Sequence, residues 1–270
     1  MTTLLMPMGG ALDERDEAVV LKEFLRRAGG PQARILVLPQ ASQRKQAGKE
    51  LTDLFLEWGA AEAIALEFRS RTTADEEDNL RAVRRASGIF FGGGAQLRLA
   101  ALLGGTRLEA ELLAAFRAGA IVGGTSAGAS ILSKTMIALG KSGPTPRFGL
   151  LHMSPGLGFT DRFMFDQHFR QRDRFGRLSY AVCSHPGVLG IGIDENTAAL
   201  IEDENRLTVY GAGAVTVVDG RQMEACTLPE VESPAPIAVS HLIVHVLTAG
   251  CAYERESGQA SIPALRLVDE

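Results

Sequence analysis

Cysteine is scarce: the 270 residues hold three, Cys183, Cys226 and Cys251. Their spacing matches neither a zinc-ligand set nor a redox motif, and an odd number with no pairing pattern excludes a disulfide framework. Reduced, buried thiols in a cytoplasmic protein are the expectation. Long apolar runs are also missing. Nothing approaches the ~20 residues needed to cross a bilayer, and Met1–Gly10 has no basic n-region, so neither a membrane partner nor a signal peptide is expected. No excess of positive charge is present: 28 Lys and Arg stand against 32 Asp and Glu, a net charge of −4. The two signs are mixed along the chain, which excludes the basic face that nucleic-acid binding requires. Low-complexity linkers and internal repeats are absent as well, so one domain spanning residues 1–270 is expected.

What the chain does contain is alternation. Apolar runs at Thr3–Met8, Arg34–Pro39, Ala63–Leu66, Gly88–Phe91 and Ala120–Gly123 read as strands. Helical patterns lie between them at Asp13–Ala28, Gln43–Trp58, Gln96–Leu103 and Leu108–Ala118, with Thr73–Glu76 as a capping box opening another to about Ala86. Strands separated by helices predict an α/β fold with a mostly parallel sheet covered on both faces. From about Leu189 the spacing tightens. Leu189–Ile193, Thr197–Ile201, Leu207–Gly211 and Ala214–Val218 read as strands that extend the same sheet, partly antiparallel. Gly143–Gly158 is rich in Gly and Pro and reads as the longest loop.

The clearest chemical signal is Gly124-Thr-Ser126-Ala-Gly128, a G-x-S-x-G sequence directly after a strand and before a helix-compatible stretch. That is the setting of a nucleophile elbow, in which the chain turns too sharply for side chains at the glycines and the serine projects from the sheet edge. The Ala127 N–H then becomes an oxyanion donor near a helix N-terminus. A second glycine turn, Gly92-Gly-Gly94, also follows a strand and offers further backbone donors. It is not a dinucleotide fingerprint, because the last glycine of G-x-G-x-x-G falls on Leu97.

A serine nucleophile needs a base, and the base an orienting acid. Of five histidines, His168 stands in the polar, aromatic stretch Asp166–Leu178. A helix capped by Asp166 would place His168 in its first turn with Arg172 on the same face, both favouring the neutral imidazole that a base requires. His241 and His245 read as packed or surface helix residues. Asp194 and Glu195 stand together at a strand end, and the sequence does not choose between them. An esterase-type order, Ser126 with Asp194 and His241 or His245, is the rival reading; a binding protein with an inert elbow is the other.

Gly124–Ala129, Asp166–Phe169 with the arginines that follow, and Gly190–Glu195 resemble the cyanophycinases, serine peptidases related to bacterial aspartyl dipeptidase. The resemblance extends to Gly9-Gly10, Ile35–Ser42, Phe90–Leu97 and Tyr210–Gly220, nearly the whole chain in order. It implies a class I glutamine amidotransferase-like sheet, Ser126 as nucleophile, His168 as base, Glu195 as acid, and an oxyanion hole from Ala127 with Gly93 and Gly94. It places Gln96, Asp166, Gln167, Arg172, Arg174 and Arg177 around the pocket. It implies hydrolysis of cyanophycin, a poly-aspartate with arginine branches, to β-Asp-Arg dipeptides, with no metal or other cofactor and commonly as a homodimer. One position departs: the family usually has an acid in Gly-Gly-Asp-Gln, and here that residue is Ala95.

Overall fold

The computed structural model describes residues 1–263. Strands and helices alternate through the first half as β1 (Leu4–Met8), α1 (Val19–Arg27), β2 (Arg34–Leu38), α2 (Ala47–Glu57), β3 (Glu62–Ala65), α3 (Arg71–Ala74), α4 (Glu77–Arg85), β4 (Gly88–Phe91), α5 (Gln96–Leu103), α6 (Arg107–Arg117) and β5 (Ile121–Thr125). A single turn, α7 (Ala127–Ser130), leads to β6 (Thr135–Gly140), β7 (Leu151–Pro155), β8 (Phe163–Gln167), α8 (Phe175–Ser184), β9 (Leu189–Ile193), β10 (Thr197–Glu202), β11 (Arg206–Gly211) and β12 (Ala214–Asp219). The chain closes with β13 (Ala225–Cys226), β14 (Val239–Ser240), β15 (Ile243–Thr248), β16 (Ala252–Glu254) and β17 (Gln259–Ser261). No helix among the described residues is long and apolar enough to cross a membrane.

The main sheet has nine strands in the order β17-β16-β11-β10-β1-β5-β4-β2-β3. From β1 to β3 the neighbours are parallel, and β10, β11, β16 and β17 add antiparallel strands beyond β1. Strands buried on both faces need apolar residues at every position, which is why β1, β2 and β4 show no alternation. The pleat sends Met6, Met8, Ile35, Val37 and Phe90 toward α1 and α2, where Phe24 and Phe55 pack edge-on to Phe90 at 5.4 and 5.5 Å. It sends Leu36, Leu38, Ile89, Phe91 and Val122 to the other face, against Leu80, Leu99 and Leu112 of α4, α5 and α6. Each such side chain contributes about 1.5–3 kcal/mol when fully buried.

A second sheet packs on that other face. Its order is β15-β12-β9-β8, with β8 and β9 parallel and β12 and β15 antiparallel. Phe163, Phe165, Ile191, Val215 and Val217 join the shared core, while α8 covers the outer side of this sheet through Leu178, Ala181 and Val182.

Several expectations change here. The late strands do not all extend one sheet: β10 and β11 join the main sheet, whereas β9 and β12 build the second. The Asp166 helix does not form, since Phe163–Gln167 is a buried strand whose register is fixed by β9. His241 and His245 lie beside and within β15, not on a helix. Leu151–Pro155, read as loop, pairs with β6 as a hairpin. Helix α1 starts at Val19 rather than Asp13, because the Asp13 carboxylate accepts from the N–H groups of Arg15, Asp16 and Ala18 and holds a local turn instead. The capping box is Ser70 with Thr73, one turn ahead of the expected one.

Candidate active site

Ser126 follows β5 directly, with φ 53° and ψ −115°, a conformation that costs a non-glycine residue of order 1–3 kcal/mol. Its neighbours make that turn possible. A Cβ on Gly124 would stand 2.3 Å from the Gly128 carbonyl oxygen, and one on Gly128 would stand 2.1 Å from that of Phe91. The Ser126 N–H donates to Met8 O at 3.1 Å, which locks the turn to the end of β1. The next N–H, of Ala127, opens α7. Because α7 is one turn long, the donors here are individual N–H groups and not the pole of a long helix. Gly93 lies against the serine, its Cβ direction 3.5 Å from Ser126 Cβ. Gly94 turns away with φ +142°, where any Cβ would meet Ala41 O at 2.2 Å. Among the described residues, the N–H groups of Ala127, Gly93 and Gly94 donate to no backbone carbonyl.

His168 leaves the end of β8 and faces the serine. Ser126 Oγ lies 3.0 Å from His168 Nε2, and His168 Nδ1 lies 2.6 Å from Glu195 Oε1. With Glu195 ionised, Nδ1 carries the proton and Nε2 accepts from the serine hydroxyl. His168 adopts φ 47°, and its N–H donates to Gly9 O at 2.8 Å. Gly10, at φ +97°, passes under the ring so closely that a Cβ there would lie 2.3 Å from Cε1. Burial pushes the imidazole below its ordinary value. The charges of Arg172 and Arg174 act in the same direction, against the opposing hydrogen bond from Glu195. The ring is therefore neutral at pH 7 without the helix dipole that the sequence suggested.

The two adjacent acids have separate tasks. Asp194 is buried and accepts from the N–H of Arg170 at 3.0 Å and of Ala214 at 3.1 Å, leaving it facing backbone. Glu195 reaches the histidine. The rival set does not assemble: His245 packs tilted against Tyr253 with ring centroids 5.2 Å apart, and His241 sits beside Glu224.

The remaining pocket candidates divide by burial. Asp166 has no exposed side-chain area and is held by Arg177 in a two-bond fork and by Arg174. Arg174 also donates to the carbonyl and side-chain oxygens of Gln167, the residue before His168, and its burial lowers its pKa to about 10. Gln167 Nε2 reaches Ser130 Oγ at 3.4 Å. These four side chains form a polar cluster behind the histidine. Gln96 donates to Ile137 O and Ala138 O, where β6 has an irregular register. Arg172 and Ala95 are exposed. Sequence reasoning missed Gln171, whose Oε1 accepts from the Glu195 N–H at 3.1 Å. It read Gly9-Gly10 as the end of a strand, although their position opposite the histidine depends on a fold no local pattern reveals. No group of His, Cys, Asp and Glu among the described residues is arranged to hold a metal ion.

The comparisons bear on this geometry. The model of Peptidase family S51 matches residues 3–209. The cyanophycinase of Synechococcus elongatus is 40% identical over 258 residues, covering 95% of this chain and 80% of its own. That of Geminocystis herdmanii is 37% identical over 257 residues, covering 94% of each. Among solved structures, a peptidase from an acI-B1 Actinobacterium superposes with TM-score 0.66 at 21% identity, over 94% of this chain and 97% of its own. A putative peptidase E protein from Listeria monocytogenes gives 0.54 at 17% identity, over 79% of this chain and all of its own. These two show a shared fold, and the closer sequence relatives place the chain by descent: it belongs to peptidase family S51, alongside the cyanophycinases, and is a peptidase.

Proposed function

We propose that the chain is a serine-type exopeptidase that hydrolyses cyanophycin to β-Asp-Arg dipeptides through an acyl-enzyme. The observation that carries the mechanism is the line from Ser126 Oγ through His168 to Glu195, with separations of 3.0 and 2.6 Å. The substrate is inferred from the relatives, whose names state cyanophycin cleavage and whose sequences match over nearly the whole chain.

In the first step Oγ attacks the scissile carbonyl while His168 Nε2 takes its proton. The tetrahedral oxygen is held by the N–H groups of Ala127 and of the Gly93-Gly94 turn, each such donor being worth about 10²–10³ in rate. His168 then protonates the leaving amine, and water, activated by the same nitrogen, releases the acid. Glu195 fixes the tautomer and stabilises the imidazolium. Exposed Arg172 meets substrate carboxylate, a role suited to a planar guanidinium. Asp166, Gln167, Arg174 and Arg177 support the base from behind, and Gln96 ties the start of α5 to β6. The same reading takes the described elements as one domain of the class I glutamine amidotransferase-like type, acting in the cytoplasm as a homodimer.

The test is incubation with insoluble cyanophycin beside Ser126→Ala, assayed for soluble β-Asp-Arg. Release by the parent alone supports the reading, and equal release by the variant overturns the nucleophile. Ala95, uncharged where the family usually has an acid, favours a second substrate arm of short aspartyl and isoaspartyl peptides. Turnover of these without cyanophycin release would replace the polymer as substrate while keeping the chemistry.

A further inference from the structure

Two segments must stay in register for the site to work: the one after β8, which carries His168, and the one after β9, which carries Glu195. Each sends a side chain to the other's backbone. Asp194 accepts from the Arg170 N–H at 3.0 Å, and Gln171 Oε1 accepts from the Glu195 N–H at 3.1 Å. A backbone bond, Phe169 N–H to Ile193 O at 3.1 Å, precedes them where the two strands end. The Asp194 half is buried and also ties to Ala214 in β12. The Gln171 half is exposed.

We infer that Gln171 is a positioning residue: its amide oxygen holds the Glu195 backbone so that the carboxylate stays on His168 Nδ1. The inference rests on the reading of Ser126, His168 and Glu195 as the catalytic set. Glu195 is itself partly exposed, with about a third of its side chain accessible. Its rotamers compete with hydration, and a fixed backbone N–H limits the arc through which the carboxylate can swing. A side chain that only completes the fold would affect melting and not the histidine. One that fixes Glu195 acts on the histidine's protonation. The charged groups facing the ring are Glu195 from the turn after β9, and Arg172 and Arg174 from the segment after β8. The Gly9-Gly10 turn and the Gly124–Gly128 elbow are uncharged.

The experiment measures kcat, KM and the pH profile of kcat/KM for Gln171→Ala and Gln171→Glu, with Ser126→Ala and Asp194→Asn beside them. Gln171→Ala removes the acceptor. Loss of one neutral hydrogen bond predicts a fall of about five-fold in kcat with KM unchanged. The acidic limb of its profile should move to lower pH, because a loosened Glu195 no longer supports the imidazolium. Gln171→Glu keeps an acceptor at the same reach and adds negative charge. It should recover most of kcat and move the limb to higher pH. Asp194→Asn has a single acceptor oxygen for the two N–H groups of Arg170 and Ala214, so it loosens the partner brace and should move the limb in the same direction as Gln171→Ala. Parental kcat and an unmoved limb in Gln171→Ala would overturn the brace. So would a change confined to KM, which would make Gln171 a substrate contact. Retained activity in Ser126→Ala would instead overturn the catalytic set, whatever the Gln171 variants do.

Discussion

Replacing Gly10 by alanine tests whether the glycine turn after β1 sets the position of the base. The added Cβ would lie 2.3 Å from His168 Cε1, 2.5 Å from Nε2 and 3.0 Å from Nδ1. Ordinary carbon contacts are ~3.5 Å or longer, so the ring must retreat by about 1.2 Å. The retreat is away from Gly10, and a shift of that size breaks a 3.0 Å bond to Ser126 Oγ. Misplacement of a reacting group by about 1 Å costs on the order of 10²-fold in rate. Alanine at φ +97° adds backbone strain of about 1–3 kcal/mol, enough to lower Tm without abolishing folding. The expected variant is therefore folded, somewhat less stable, and about a hundred-fold slower, with fluorophosphonate labelling of Ser126 slowed in parallel. Gly9→Ala is the contrast. Its Cβ would lie 1.8 Å from the Asp194 carbonyl oxygen, a backbone atom that cannot swing aside, so that variant should lose soluble expression. A Gly10→Ala enzyme with circular dichroism like the parent and kcat within three-fold of it would refute the packing of His168 on this turn.

Three further outcomes follow from the same geometry. Protonated His168 cannot accept the serine proton, so kcat/KM must fall as pH drops through the imidazole pKa. Burial holds that pKa below 6.5 and the Arg172 charge helps, so Arg172→Gln should move the acidic limb to higher pH in a profile taken from pH 4.5 to 8. Gly94→Ala places a Cβ 2.2 Å from Ala41 O at φ +142° and should reduce kcat about 10²–10³-fold, whereas Gly93→Ala meets only ordinary contacts at 3.5 Å and should stay folded with a smaller loss. Asp166→Ala leaves Arg174 and Arg177 buried without their carboxylate and should lower unfolding free energy by about 3–5 kcal/mol in urea titration, beyond any effect on rate.

The parts of this molecule that were legible in its sequence are those where local preference and final structure agree. Apolar runs ending in glycine became β1, β4 and β5, because strands covered on both faces leave no other composition. Helices α5 and α6 fell within a residue of their expected bounds, since an amphipathic stripe needs only one neighbour to be satisfied. Ser126 was legible because the glycines of a sharp strand-to-helix turn leave a short, dense pattern. His168 was expected beside Ser126 on a helix, and it stands 3.0 Å from the serine but at the end of a strand. Asp166-Gln-His168 reads as a capped helix start, yet pairing with Leu189–Ile193 draws the segment into a buried strand, and an aspartate that would have capped a helix instead accepts from two arginines. The choice between Asp194 and Glu195 was closed to residue-by-residue reading because both leave the same strand end. Only the positions of Arg170 and Ala214, brought in from other elements, decide which carboxylate is consumed by backbone.

The misplacement of His168 falls where two sheets meet, and that has a physical cause. The parallel strands β1, β4 and β5 end at one edge, the parallel pair β8 and β9 ends beside it, and the Met8-Gly9 stretch bonds to both: Met8 O takes the Ser126 N–H and Gly9 O takes the His168 N–H. Nucleophile and base therefore belong to different sheets, registered by one glycine turn. Ser126 and His168 both sit at positive φ, conformations no isolated segment would choose. Such strain persists only while both sheets are packed, so loosening the interface should inactivate the enzyme before it unfolds. Following activity and tryptophan-independent far-ultraviolet ellipticity together through a urea gradient distinguishes the cases: loss of turnover at lower urea than loss of secondary structure is expected, and coincident transitions would show that the two sheets hold the site no more weakly than they hold themselves.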